Sequence, residues 1–108
     1  VKRINFTKKN STKAERIFAG LLTELRIPFE HGVILDGREI DFLIFGNTCI
    51  EIDGHKQDSK KNTRLVELGY VPIHIENIEI KQDLNNIKTW LLILKTTKET
   101  FSQTQMEM

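Results

Sequence analysis

Apolar residues recur at helical spacing from Ala14 through Ile17, Phe18, Leu21, Leu22 and Leu25, which predicts a helix opening at Ser11 or Thr12 and running to about Leu25. Pro28 closes it, since the residue before a proline avoids the α region. A short strand is predicted over Val33–Leu35, with a turn at Asp36-Gly37. Glu39–Phe45 follows, apolar on both faces apart from Glu39 and Asp41, which is the pattern of a buried central strand. Gly46-Asn47 signals a turn into a third strand over Thr48–Asp53. Gln57–Leu68 is predicted helical, with Gly69 as its C-terminal cap, and Val71–Ile75 is a fourth strand. Leu84, Ile87, Trp90, Leu91 and Leu94 mark a C-terminal helix, beyond which the chain turns polar from about Thr96. The predicted fold is α/β: a mixed four-stranded sheet flanked by helices, in the order α-β-β-β-α-β-α.

At 108 residues the chain has room for one hydrophobic core. The pattern divides it into a folded domain over 1–95 and a polar tail or linker over 96–108. No apolar run approaches the roughly 20 residues that span a bilayer, and the basic, polar N-terminus has no apolar stretch of a signal peptide behind it. Cys49 is the single cysteine, so no internal disulfide can form and a reducing, cytoplasmic setting is expected. A start at Val1 fits removal of an initiator Met or excision from a larger protein. Net charge is +1, which by itself excludes little. Its distribution says more: Lys2, Arg3, Lys8, Lys9, Lys13 and Arg16 gather before or at the first helix, while acidic residues gather in the middle. Cations beside a carboxylate centre suit a phosphate substrate and a metal; a solvated polar arm gives the same pattern.

Asp41 is the residue most at odds with its surroundings, with apolar neighbours on both sides in Ile40-Asp41-Phe42. A buried carboxylate needs a partner or a cation; Arg38 or Arg64 would serve as a structural partner. In Thr48–Asp53, strand alternation sets Ile50 and Ile52 on one face and Glu51 and Asp53 on the other. Two such charges about 6 Å apart repel by roughly 3 kcal/mol at an effective dielectric near 20. Solvent would relieve the repulsion and a divalent metal would reverse it, the hard oxygen ligands favouring Mg²⁺ or Mn²⁺ over Zn²⁺.

Register decides whether Asp41 joins them. A two-residue loop at Gly46-Asn47 pairs Phe45 with Thr48 and sets Asp41 against Ile52, on the wrong face. A three-residue loop that pairs Phe45 with Cys49 sets Asp41 against Asp53, and this less common turn is the one expected. His55 follows at once after Gly54, where it could move a proton at the carboxylate edge or stand idle in a loop. Glu15 completes a capping box with Thr12, yet it lies on the helical face of Phe18 and Leu22, so it could point at the sheet.

The stretches Ser11–Glu15, Gly37–Phe42, Ile50–His55 and Arg64–Tyr70, in this order and spacing, resemble the PD-(D/E)xK nuclease superfamily, and most closely its branch around the very-short-patch repair endonuclease and the EDxHD homing endonucleases. The resemblance covers roughly residues 11 to 79. It implies a restriction-endonuclease-like fold, with residues 1–95 as a catalytic domain and Glu15, Asp41, Glu51, Asp53 and His55 as catalytic residues. Asp41, Glu51 and Asp53 would be the metal ligands, with Mg²⁺ or Mn²⁺ as cofactor and double-stranded DNA as substrate, cut to leave a 5′-phosphate and a 3′-hydroxyl. Lys60, Lys61 and Arg64 would contact phosphate, and Asp58 is a possible further partner in the site. The chain departs from the superfamily in two ways: Asp53 stands where a lysine is usual, and His55 follows its glycine sooner than in many relatives.

A homing-type endonuclease is therefore the expected function. A mismatch-directed repair nickase is the first alternative, disfavoured because one cysteine and the scattered His31, His55 and His74 offer no structural zinc site. A nuclease fold retained only as a DNA-binding module is the second, motivated by the missing lysine. The small net charge implies that a separate DNA-binding module or dimerisation helps the domain find its target.

Overall fold

The computed structural model describes the backbone of residues 3–5, 11–53 and 58–106, and the side chains of residues 11–52 and 58–100. Its elements are β1 (Arg3–Asn5), α1 (Lys13–Glu24), β2 (Phe29–Leu35), β3 (Arg38–Ile44), β4 (Thr48–Asp53), α2 (Ser59–Glu67), β5 (Val71–Glu76), α3 (Asn77–Gln82) and α4 (Leu84–Met106). The strands form one sheet in sequence order, β1-β2-β3-β4-β5. The first four run antiparallel as a meander, and β5 lies parallel to β4 after the α2 crossover. The predicted mixed α/β architecture therefore holds, with a fifth strand added at the β1 edge and a short helix, α3, inserted before α4.

Helices cover both faces. Phe18, Leu21 and Leu22 of α1 pack with Phe42, Ile44, Ile50, Ile52, Ile80, Ile87 and Leu91 into the larger core, so α1, α3 and α4 share one face. Leu65 of α2 closes the smaller cluster on the other face, over Val33, Leu35, Ile40, Leu43 and Cys49. Simple alternation would group Val33, Leu35 and Ile40 with Phe42. Instead, the side chains of β2 and β3 change over where Gly32 takes φ +73, across from Asp41 by the register of its neighbours. Glycine adopts that backbone without a Cβ clash.

The helix ends follow local rules. Thr12 and Glu15 form the full capping box at the start of α1, and α1 stops at a Schellman turn in which the Ile27 N–H donates to the Leu22 carbonyl at 2.9 Å. Arg26 holds the left-handed position at φ +57 that glycine usually takes. Gly69, at φ +91, ends α2 in the same way, with the Tyr70 N–H donating to the Leu65 carbonyl at 2.9 Å.

Three boundaries differ from the sequence reading. β2 starts at Phe29, because Phe29 and His31 find ladder partners in Ile44 and Phe42 of the long strand β3. α4 continues to Met106, past the expected change to a polar tail at Thr96; that stretch has no glycine or proline to stop a helix, and Lys95 and Glu99 pair one turn apart at 4.0 Å. The β3–β4 loop is three residues long as expected, but it consists of Phe45, Gly46 and Asn47, so Ile44 pairs with Thr48 and Phe42 with Ile50. The expected pairing of Phe45 with Cys49 is thus incorrect. Thr48 stays in the strand because it is buried, pairs with Val71 of β5, and donates its hydroxyl to the Asn47 side chain at 3.1 Å. Phe45 is left to turn the chain at φ +54. Continuing the count sets Asp41 across from Glu51 rather than Asp53.

Candidate active site

Among the described residues, four polar side chains are buried: Glu15 (2% exposed), Asp41 (8%), Glu51 (7%) and Thr48. Three of them are carboxyls expected in the site. Asp41 sits where the β3–β4 ladder stops. Beyond the Phe42–Ile50 pair, the Ile52 N–H donates to Asp41 Oδ2 at 2.8 Å instead of to a strand carbonyl. A side chain thereby takes the place of a ladder bond, which fixes the carboxylate between the two strands. Of the two arginines offered as structural partners, Arg64 donates its Nε to Asp36 Oδ2 at 2.8 Å, and Arg38 Nη1 is buried with no hydrogen-bond partner among the described residues.

Glu51 projects from the neighbouring position of β4, and its carboxyl lies within hydrogen-bonding reach of Asp41. Burial pushes the Glu51 carboxyl up to about 7; the Lys61 ammonium works against this, while the Asp41 charge adds to it. The same surroundings act on the nearby Cys49 thiol, which burial and then the Glu51 charge raise to about 11, opposed by Lys61. A thiol that holds its proton so firmly is a core residue and not a nucleophile.

Lys61 was expected, with Lys60 and Arg64, among the candidates for phosphate contact on α2. Its Nζ turns inward, makes an ion pair with Glu51 and donates to the Glu39 carbonyl at 2.6 Å. The signal was present in the spacing: Lys61 lies one turn before Leu65, the buried residue of α2, and so on the inward face. Lys60 is exposed. Arg64 is half-exposed and engaged by Asp36 and Glu67, an arrangement that holds Asp36 below the usual carboxylate range and raises Arg64. Asp58, a possible further partner in the site, caps α2 by accepting the Lys61 N–H at 3.1 Å, and that bond lowers its pKa.

Glu15 both closes the capping box and points at the sheet. Its Oε2 accepts the Thr12 N–H at 3.2 Å to close the capping box, while Oε1 meets His31 Nε2 at 3.3 Å. The His31 ring stacks on Phe42, centroids 4.4 Å apart, so the Glu15–His31 pair is anchored on the residue that follows Asp41. His31 had no role in the sequence reading, and no motif pointed to it. His74 pairs with Glu51 in the β4–β5 register and meets Asn62 Oδ1 at 3.0 Å, tying α2 to the sheet beside the carboxyls.

Asp53 closes β4, paired with Glu76, and its side chain falls outside the described residues, as does all of His55. Among the described residues, no three histidine, cysteine or carboxylate side chains gather as a metal-binding group. What the described residues bring together is Asp41, Glu51 and Lys61, from β3, β4 and α2, with Glu15 and His31 one residue away on the α1 side. Also among them, no helix is long and apolar enough to cross a membrane.

In three dimensions the chain is similar to the catalytic domain of the homing endonuclease I-Bth0305I. The two share 25% sequence identity and superpose with a TM-score of 0.69, over 82% of this chain and 98% of that domain. No protein-family model and no curated protein sequence matches the chain.

Proposed function

We propose that this chain is the catalytic domain of a metal-dependent DNA endonuclease of the homing type, within the PD-(D/E)xK superfamily near the very-short-patch repair branch. The observation that carries the reading is the enforced approach of Asp41 and Glu51, two buried carboxyls that the turn at Phe45–Asn47 sets side by side on adjacent central strands. Burying two like charges together is destabilising unless something positive joins them. The likeness to a homing endonuclease catalytic domain supports the same reading.

The donor chemistry fits a hard divalent cation, Mg²⁺ or Mn²⁺: oxygen ligands only, and a proton affinity at Glu51 raised by burial that a cation would reverse. Asp41 and Glu51 would hold it, with Asp53 as the third ligand. When bound, the ion supplies positive charge to offset the negative charge that develops on the phosphate. The chain's own part is to fix the ligands. The Ile52 N–H holds Asp41 Oδ2 in place, Lys61 holds Glu51, and Glu15 with His31 braces the Phe42 end of β3. Water would attack phosphorus in line with the 3′ oxygen, leaving a 5′-phosphate and a 3′-hydroxyl on double-stranded DNA. His55 is the proposed proton carrier. A separate DNA-binding module or a second copy of the chain would supply target affinity.

The test is plasmid nicking by the wild type and Asp41→Asn, in Mg²⁺, Mn²⁺ and EDTA. The expected result is metal-dependent nicking by the wild type alone, with Asp41→Asn folded because its amide oxygen still accepts the Ile52 N–H. Full activity in Asp41→Asn would remove that residue from the site. A wild type that binds DNA yet cuts in neither metal would leave a binding module.

A further inference from the structure

We infer that the groove where β5 meets the α3–α4 corner is a docking site for an arginine-bearing peptide segment of a protein partner. The groove has a volume of about 350 Å³. Ile73, His74 and Ile75, three consecutive residues of β5, all border it, although alternate side chains of a strand face opposite ways. It therefore opens along the strand's edge, and β5 is the last strand of the sheet. The floor is apolar: Ile75 and Ile87 are buried, and half-buried Trp90 packs against the same core. Asn86, Ile87 and Trp90 follow one face of α4. The exposed Glu79 and Asp83 bring two carboxylates to the rim, from α3 and the turn after it.

The lining selects the ligand. An apolar trough with negative charge at its mouth fits a side chain that is apolar along its length and cationic at its tip, as lysine and arginine are. Arginine fits better, because its planar guanidinium stacks on an indole and presents a fork of N–H donors to a carboxylate. Among the described residues, no lysine or arginine makes an ion pair with Glu79 or Asp83. Lys81, on the same short helix as Glu79, does not border the groove. DNA is a poor occupant, since its phosphates would meet both carboxylates. A second copy of the chain docked across a two-fold axis would set like charge against like. Helices α3 and α4 cover the sheet face opposite α2, so a segment held here leaves the side from which Lys61 reaches Glu51 open. The inference stands apart from the nuclease reading.

The experiment titrates the protein with Arg-Thr, citrulline-Thr and Glu-Thr repeat peptides of equal length. Fluorescein-labelled peptides are read by anisotropy, and unlabelled ones by the fluorescence of Trp90, the single tryptophan. The expected result is saturable binding of the Arg-Thr peptide with a change in Trp90 emission. The citrulline peptide, which keeps the shape without the charge, and the Glu-Thr peptide should not bind. Glu79→Gln/Asp83→Asn should bind the Arg-Thr peptide about tenfold less tightly. Glu24→Gln/Glu99→Gln, which removes the same charge from acids that pair with Lys88 and Lys95, should stay within about twofold of wild type. Thermal melts confirm folding; should the double variant fail to fold, Glu79→Gln alone carries the test, with a loss of about threefold. No saturable binding, an unchanged Trp90 emission at saturation, or an equal loss in both double variants overturns the inference. So does a DNA duplex that competes with the peptide, or a dimer, seen by sedimentation equilibrium, that excludes it.

Discussion

Replacing Glu51 by Gln in the metal-free protein tests the electrostatics of the centre directly. The folded chain holds the Glu51 proton up to about pH 7, against 4.5 for an ordinary glutamate. At about 1.4 kcal/mol per pH unit, that difference amounts to about 3 kcal/mol. The sign follows from proton counting. Between pH 4.5 and 7 the folded state binds more protons at this position than the unfolded chain, so unfolding free energy falls as pH rises. Stability due to the Glu51 carboxyl is fully present below pH 4.5 and is lost as pH climbs through 7. Urea denaturation in EDTA, followed by the fluorescence of the single tryptophan, Trp90, gives the free energy at each pH. Wild type minus Glu51→Gln cancels the other titrating groups and should decline by about 3 kcal/mol across that window. Mg²⁺ added at pH 8 should return stability to the wild type more than to Glu51→Gln. Parallel curves, or a difference that grows with pH, would refute the burial argument and with it the idea that Glu51 is held under electrostatic strain.

Other perturbations have simpler outcomes. Thr12→Ala removes the hydroxyl that accepts the Glu15 N–H at 3.1 Å, and should lower unfolding free energy by about 1 kcal/mol. Phe18→Ala empties a fully buried position against Phe42 and should cost about 3–5 kcal/mol in the same urea assay. Asp36→Asn breaks an exposed pair with Arg64 and should shift the urea midpoint only slightly, and less still in high salt.

The sequence disclosed most of the architecture because its strongest signals are local. The α1 stripe, the Gly69 stop and the apolar runs of β3 and β5 each follow from one segment's own periodicity. Elements defined by their neighbours were harder to read. β1 is three residues long and has too few positions to show alternation; the first half of β2 is a strand because β3 is there to pair with it. In the site, Asp41 stood out as a carboxylate in an apolar run, and Glu51 followed from alternation. The expected register, with Phe45 opposite Cys49, set Asp41 against Asp53; the observed one sets it against Glu51. The difference is whether Phe45 or Thr48 joins the loop, and Thr48 is kept in the strand by β5, which lies more than twenty residues along the chain. The inward turn of Lys61 was hidden for a related reason. A lysine looks solvated until the strand beneath its helix is known.

Surface connections between strands usually absorb an added or missing residue with little consequence. The bend at Phe45, Gly46 and Asn47 has no such latitude. Lengthening or shortening it by one position would flip β4 front to back, bringing a methyl-bearing isoleucine to the spot now held by a carboxyl and turning the acid toward the oily interior. The bend contains no charged group, yet its length sets the chemistry several residues away. Insertions or deletions here would be expected to silence the protein while leaving every acidic residue in the sequence intact.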